Sequence, residues 1–210
     1  MRDYRLYLTS QMVATTGLWM QRIAQDWLVL ELTGSVTAVG VAVALQFLPM
    51  LMFGLFGGVV ADRFPKRTIL IITQSTLALV ATTLGLLALT GAVQPWHVYV
   101  LAFVLGLVTV VDNPTRQVYV SELVGQAHIR NAVSLNSSVF QLGALVGPAV
   151  SGALIHAVGQ GWSFLINAAS CLVVVIMVAV IRSRPAPAAV RSAGSGGELR
   201  EALRYIGRTS

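Results

Sequence analysis

The stretch GGVVADRFPKRTIL, residues 57–70, decides the fold. It crowds Asp62, Arg63, Lys66 and Arg67 between two long apolar runs. Pro65 has no amide hydrogen and disfavours helical geometry at Phe64, so an incoming helix has to stop here. Charges gathered at a helix break, with a run on each side long enough to cross about 30 Å of hydrocarbon, mark a connection at a membrane surface.

The same alternation repeats along the chain. It predicts six spans, roughly Tyr7–Leu32, Val36–Ala61, Thr68–Thr90, Trp96–Val120, Asn131–Ala157 and Trp162–Ile181, separated at TGS, DRFPKR, GAVQP, SELVGQAHIR and GQG and closed by RSRPAP. Composition agrees: 56% of residues are hydrophobic, 10% are charged and the mean hydropathy is +0.77, which excludes an ordinary soluble domain. The surplus of 14 Lys and Arg over 8 Asp and Glu is scattered among the spans, so it speaks for membrane topology and against nucleic acid. Cys171 is the single cysteine, which excludes an intrachain disulfide and a multi-cysteine metal site. The opening MRDYRLYLTSQM lacks a small-residue cleavage site and predicts a retained first helix.

Placing the N-terminus in the cytoplasm puts Arg2, Arg5, Arg63, Lys66, Arg67, Arg116, Arg130, Arg182 and every later Arg on that side. The opposite connections, around Gly34, Gly91 and Gly159, carry no Lys or Arg, so both termini are expected to be cytoplasmic. Residues 183–197 read as a flexible Pro/Ala/Gly/Ser linker. Residues 198–210 read as a short amphipathic helix with Leu199, Leu203 and Ile206 on one side, lying on the membrane or docking a partner.

Arg22 is the one basic residue left inside a span. It shares an arc of the first helix with Gln11, Thr15, Gln25 and Asp26. A charge facing lipid near the bilayer centre costs about 2.5–3.5 kcal/mol on the insertion scale, so Arg22 and Asp26, one turn apart, are expected to pair and face water. Two roles stay open: Asp26 exchanges a proton or Arg22 attracts an anionic substrate, or the pair only ties helices together. Gln46, Gln141 and Asn167 pose the same choice between binding substrate and tying helices. Asp112 is expected toward the cytoplasmic end of the fourth helix, either in a charge cluster with Arg116, Asp62 and Lys66 that closes an inner gate, or as a solvated loop charge. His97, His128 and His156 have no ligand spacing, so no metal is expected. Trp96 and Trp162 begin helices at the outer boundary, where an aromatic belt belongs.

Three segments resemble a known family. Gly58, Asp62, Arg63, Lys66 and Arg67 occupy the positions of the cytoplasmic loop signature of the major facilitator superfamily, Gly-x-x-x-Asp-Arg-x-Gly-Arg-Arg/Lys, with Pro65 in place of its second Gly. In LGALVGPAVSGAL, Gly143, Gly147, Pro148 and Gly152 look like its antiporter packing motif. In GLVTVVDNPTRQVYVSELV, Asp112, Pro114 and Arg116 are similar to the Asp-x-Pro-x-Arg segment of the bacterial drug:proton antiporter-3 group, which includes siderophore and macrolide exporters. The fourth-helix Arg of many other drug exporters has no equivalent, because VLAFVLGLVTV is apolar.

The resemblance implies an all-α membrane protein: the N-terminal six-helix half, built as a 3+3 inverted repeat, of a twelve-span major facilitator fold. It implies a multi-pass protein of the bacterial plasma (inner) membrane that exports drug-like or siderophore-like small molecules in exchange for protons. The implied partners are lipid, substrate, protons and a second six-helix half, in the same chain or another subunit, with the substrate cavity between the halves. An enzyme is not expected, since the sequence has no nucleophile–base constellation and no phosphate-binding loop, and no cofactor is implied. The alternative is a non-transporting subunit, or a truncated fragment serving assembly or regulation.

Overall fold

The computed structural model describes residues 2–125 and 128–181. It consists of six helices: α1 Arg2–Thr33, α2 Val36–Arg63, α3 Lys66–Leu89, α4 Pro95–Val124, α5 Ile129–Val158 and α6 Gly161–Val180. The linker and amphipathic helix expected over residues 183–210 lie outside the described residues. Five helices, α2 to α6, are long and apolar enough to cross a membrane. The first falls short of that measure, because Gln11, Gln21, Arg22, Gln25 and Asp26 interrupt its apolar run.

The connections follow from local chemistry. α2 ends at Arg63, Phe64 and Pro65 are extended, and α3 starts at Lys66, as the missing donor of Pro65 dictates. Gly34 at the α1–α2 turn and Gly159 at the α5–α6 turn have φ of 63° and 89°, a left-handed backbone that favours glycine. Ser35 then caps α2, its hydroxyl accepting from the Ala38 amide at 3.4 Å.

α1 packs mainly on α5 and α6, α2 on α4, and α3 on α6 and α4. Glycines allow the closest approaches. A Cβ on Gly57 would stand 2.0 Å from the Val110 carbonyl oxygen of α4, and one on Gly106 would stand 2.3 Å from the Gln46 carbonyl oxygen of α2. Gly143 and Gly147 of α5 press on α1 in the same way, against Thr15 and Trp19. Two glycines of the motifs do not pack: a Cβ on Gly58 or on Gly152 would meet nothing within 4 Å. The contact glycine of the 57–70 stretch is therefore Gly57, one position (about 100° of helix turn) from the signature residue Gly58.

Two apolar plugs close the bundle. Tyr7, Leu70, Tyr119, Val174 and Val178 pack near the end that carries the 57–70 connection. Ala24, Leu28, Ala42, Leu84 and Phe164 pack near the other end. The outward faces are apolar, Leu55 being 91% exposed on α2. Gly57→Ala is expected to destabilise the bundle by about 1–3 kcal/mol through overpacking, whereas Gly58→Ala stays within about 0.5 kcal/mol. Melting temperatures of the two variants in one detergent check the contrast.

Candidate functional site

Between the plugs lies a layer of buried polar side chains. Asp112 and Arg116 stand one turn apart on the inward face of α4, and Arg116 Nε donates to Asp112 Oδ2. Two neighbouring positions of α3 complete the shell of the carboxylate: Thr73 Oγ1 donates to Asp112 Oδ1 at 2.6 Å and Gln74 Nε2 donates to the same oxygen at 2.9 Å. Arg116 Nη1 donates to Gln11 Oε1, which brings in α1. Asp112 is only 2% exposed. A carboxylate this deep survives only if its lost hydration is replaced, and here three donors and a counter-charge replace it.

This network forms one wall of a cavity of about 530 Å³. Its polar lining includes Gln11, Gln74, Asp112, Arg116, Gln141 and Asn167, while Leu77, Leu105 and Phe140 supply apolar wall. Asn167 also ties α6 to α1, its Nδ2 donating to Gln21 Oε1. The volume falls in the range of small-molecule pockets, and the lining mixes apolar wall with many polar side chains.

The residues singled out in the sequence divide between this cavity and other places. Gln141 and Asn167 line it; Arg22, Asp26 and Gln46 do not. The expected Arg22–Asp26 ion pair is not formed: among the described residues the one ion pair within 4.0 Å is Asp112–Arg116. The Arg22 guanidinium carbon lies 4.8 Å from the Trp19 ring centroid and 5.8 Å from that of Phe47, while Asp26 stays within electrostatic reach beyond 4.0 Å. Gln46 is buried where α2 crosses α4, beneath Gly106.

The expected cluster of Asp62, Lys66, Asp112 and Arg116 does not form either. α4 continues to Val124, so Asp112 sits about 18 Å of helix rise inside its end. It is neither a gate charge at the surface nor a solvated loop residue. Asp62 and Arg63 are exposed at the end of α2. Lys66 Nζ donates at 3.1 Å to the Asp62 backbone oxygen, not to its carboxylate. Arg67 reaches α6, where its Nε donates to the Val178 carbonyl at 3.1 Å and its Nη2 to that of Ala179, satisfying two last-turn carbonyls. The 57–70 connection is thus latched to α6 by Arg67.

Thr73 and Gln74 were not singled out in the sequence, although a Gln inside the apolar run ILIITQST is the signal that points to them. Cys171 is buried on α6 and faces the same cavity. Among the described residues no group of three or more His, Cys, Asp or Glu is placed to hold a metal ion.

Comparisons with known proteins agree with this architecture. The family described as transmembrane secretion effector, a branch of the major facilitators, matches residues 2–210. The chain is 25% identical over 174 residues to the Staphyloferrin A transporter of Staphylococcus aureus, covering 82% of this chain and 44% of that protein. It is 28% identical over 209 residues to the Multidrug efflux pump Tap of Mycolicibacterium fortuitum, covering 96% and 51%. Against Macrolide efflux protein A of Streptococcus pyogenes it is 26% identical over 153 residues, covering 72% and 38%. The chain therefore spans about half, or less, of the length of the curated relatives it matches.

The two acids of the bundle are expected to differ sharply. Asp112→Asn leaves Arg116 without its counter-charge and costs about 3–5 kcal/mol. Asp26→Asn removes only the looser attraction to Arg22 beyond 4.0 Å and costs less than about 1 kcal/mol. Thermal unfolding of the two variants in matched detergent checks the order.

Proposed function

This chain belongs to the transmembrane secretion effector family of the major facilitator superfamily, within its drug and siderophore exporter group, and from that premise we propose that it is the N-terminal half of a proton-coupled secondary exporter of drug-like or siderophore-like small molecules. Members of this family are transporters, not enzymes. The observation that carries the reading is the cavity itself: a space of drug-like size, walled by apolar helices and furnished with one fixed charge pair and several amides. The names of the relatives, which speak of siderophore, multidrug and macrolide transport, support that substrate class.

Transport by alternating access fits the packing. Exchanging α1 with α4, α2 with α5 and α3 with α6 carries the main contacts into one another: α2–α4 becomes α5–α1, α1–α6 becomes α4–α3, and α3–α6 maps onto itself. That correspondence supports a 3+3 inverted repeat, the arrangement in which one bundle rocks against a second around a site near the bilayer midplane. A second six-helix half, in the same product or a partner subunit, covers the cavity on its open side. The absence of Lys and Arg from the connections at Gly34, Gly91 and Gly159 supports cytoplasmic termini in a bacterial plasma membrane.

In this reading the exposed Asp62 works at the cytoplasmic surface against the second half, with Arg67 anchoring its loop to α6. Gly143 and Gly147, beside Pro148, seal α5 against α1 and limit leakage. Arg22 and Asp26 do not line the cavity in this arrangement but lie about one to two turns beyond Leu18, which does, with Asp26 available for proton exchange.

An N-terminal tag on the chromosomal copy should give a product near twice 22.3 kDa on a denaturing gel. That product, reconstituted in vesicles with an imposed proton gradient, should move a labelled macrolide, and a protonophore should stop it. Asp62→Asn should slow this efflux several-fold at equal protein. A product near 22.3 kDa would instead put the second half in a partner subunit, and no efflux with that partner present would establish the non-transporting subunit.

A further inference from the structure

Among the described residues Arg116 is the one cation that lines the 530 Å³ cavity, and Asp112 is the one anion. The two are not equally available. The Asp112 side chain is 3% exposed, and its charge is shared among Thr73, Gln74 and Arg116. The Arg116 side chain is 21% exposed. Its Nε is committed to Asp112 and its Nη1 to Gln11, which fixes the guanidinium plane, while among the described residues its Nη2 has no hydrogen-bond partner. The pair is therefore an oriented dipole: the negative end is buried against α3, and the positive end, with unspent donor capacity, meets the cavity. A guanidinium with a free, pre-oriented edge is suited to a carboxylate or a similar oxyanion. The lining adds amides, Gln141 and Asn167, and the Phe140 ring.

We infer that Arg116 is the anchor for the acidic group of an amphiphilic organic anion bound in this cavity, held in place by Asp112 and Gln11 as positioning residues. The inference rests on the export reading above and deepens it by naming, among the solutes the cavity takes, those bearing an ionised acid as the ones held most tightly. Asp112 serves two ends here. It keeps a guanidinium in an apolar bundle without an external counter-ion, and it leaves only the outer edge of that guanidinium open, so one acid group fits and a second finds no cation. Neutral solutes of equal size meet the same walls but gain nothing from Arg116.

The test uses the purified full chain in a non-ionic detergent, with benzenesulfonate, ionised across the whole working pH range, and its neutral analogue benzenesulfonamide as probes. Calorimetric titration against detergent blanks should show the anion bound at least tenfold more tightly than the amide. Since Arg116→Gln alone strands a buried carboxylate, the double variant Asp112→Asn/Arg116→Gln carries the comparison. In it the tenfold preference for the anion should vanish, the two probes binding alike. Arg116→Lys, a point charge without the planar fork, should keep part of the preference. Equal affinities for the two probes in the unaltered chain, or a preference that survives in the double variant, would overturn the assignment. Macrolide efflux in vesicles separates this outcome from the fate of the export reading. Efflux without anion preference refutes the anchor alone, whereas anion preference without efflux supports the anchor and refutes export.

Discussion

A carboxylate held inside an apolar bundle is the constraint on which this structure depends. Asp112 is sheltered from solvent, and its oxygens are satisfied by Thr73 and Gln74 of α3 and Arg116 of its own helix, while Arg116 reaches on to Gln11 of α1. An ion in such surroundings is stable only while its partners keep their geometry, so three helices are fixed relative to one another at the depth of the cavity. Hydrophobic burial cannot do this, because helices in lipid gain little from exchanging one apolar neighbour for another. What remains is close packing and directed polar contacts, and both are present.

The close packing comes from glycines at crossings, where Gly57 and Gly106 join α2 to α4, and Gly143 and Gly147 join α5 to α1. Two of the apolar clusters, around Tyr7–Tyr119 and around Phe164, lie to either side of the polar layer, and a third, around Leu77 and Leu105, lies beside it. The result is a cavity in whose wall Gln11, Gln74, Asp112, Arg116 and Asn167 are each held by a neighbouring side chain. Restraint of that kind lets a transporter hold a solute by a small number of contacts and release it when one helix pair shifts.

Much of the helical layout was legible in the sequence. Pro65 and the charges around it stop α2 and start α3, and the basic and glycine-bearing breaks fall at helix ends. Three features of the site were not. Asp112 looked like a helix-end charge because SELVG, with its polar residues, reads as loop; in the structure Ser121 to Val124 continue α4 and leave Asp112 deep inside. Arg22 and Asp26 have the spacing of an ion pair, but spacing fixes only Cα positions, and the faces of Trp19 and Phe47 compete for the guanidinium. Thr73 and Gln74 are ordinary polar residues on one helix, and their value depends on which part of α4 lies opposite, a tertiary fact with no local signature. Likewise Gly57 and Gly58 are indistinguishable by type, and only the crossing with α4 selects Gly57.

The proposed function rests on how the charge pair is placed, since the same two residues solvated at a loop would not shape a cavity. The most direct test is a double-mutant cycle on Asp112→Asn and Arg116→Gln, each alone and together, with unfolding free energies measured in one detergent. A buried, mutually dependent pair predicts that the double variant is more stable than the sum of the single losses allows, with a coupling energy of at least about 1 kcal/mol. Additive losses would mean that the two side chains act independently, and the account of a charge pair organising this cavity would be contradicted.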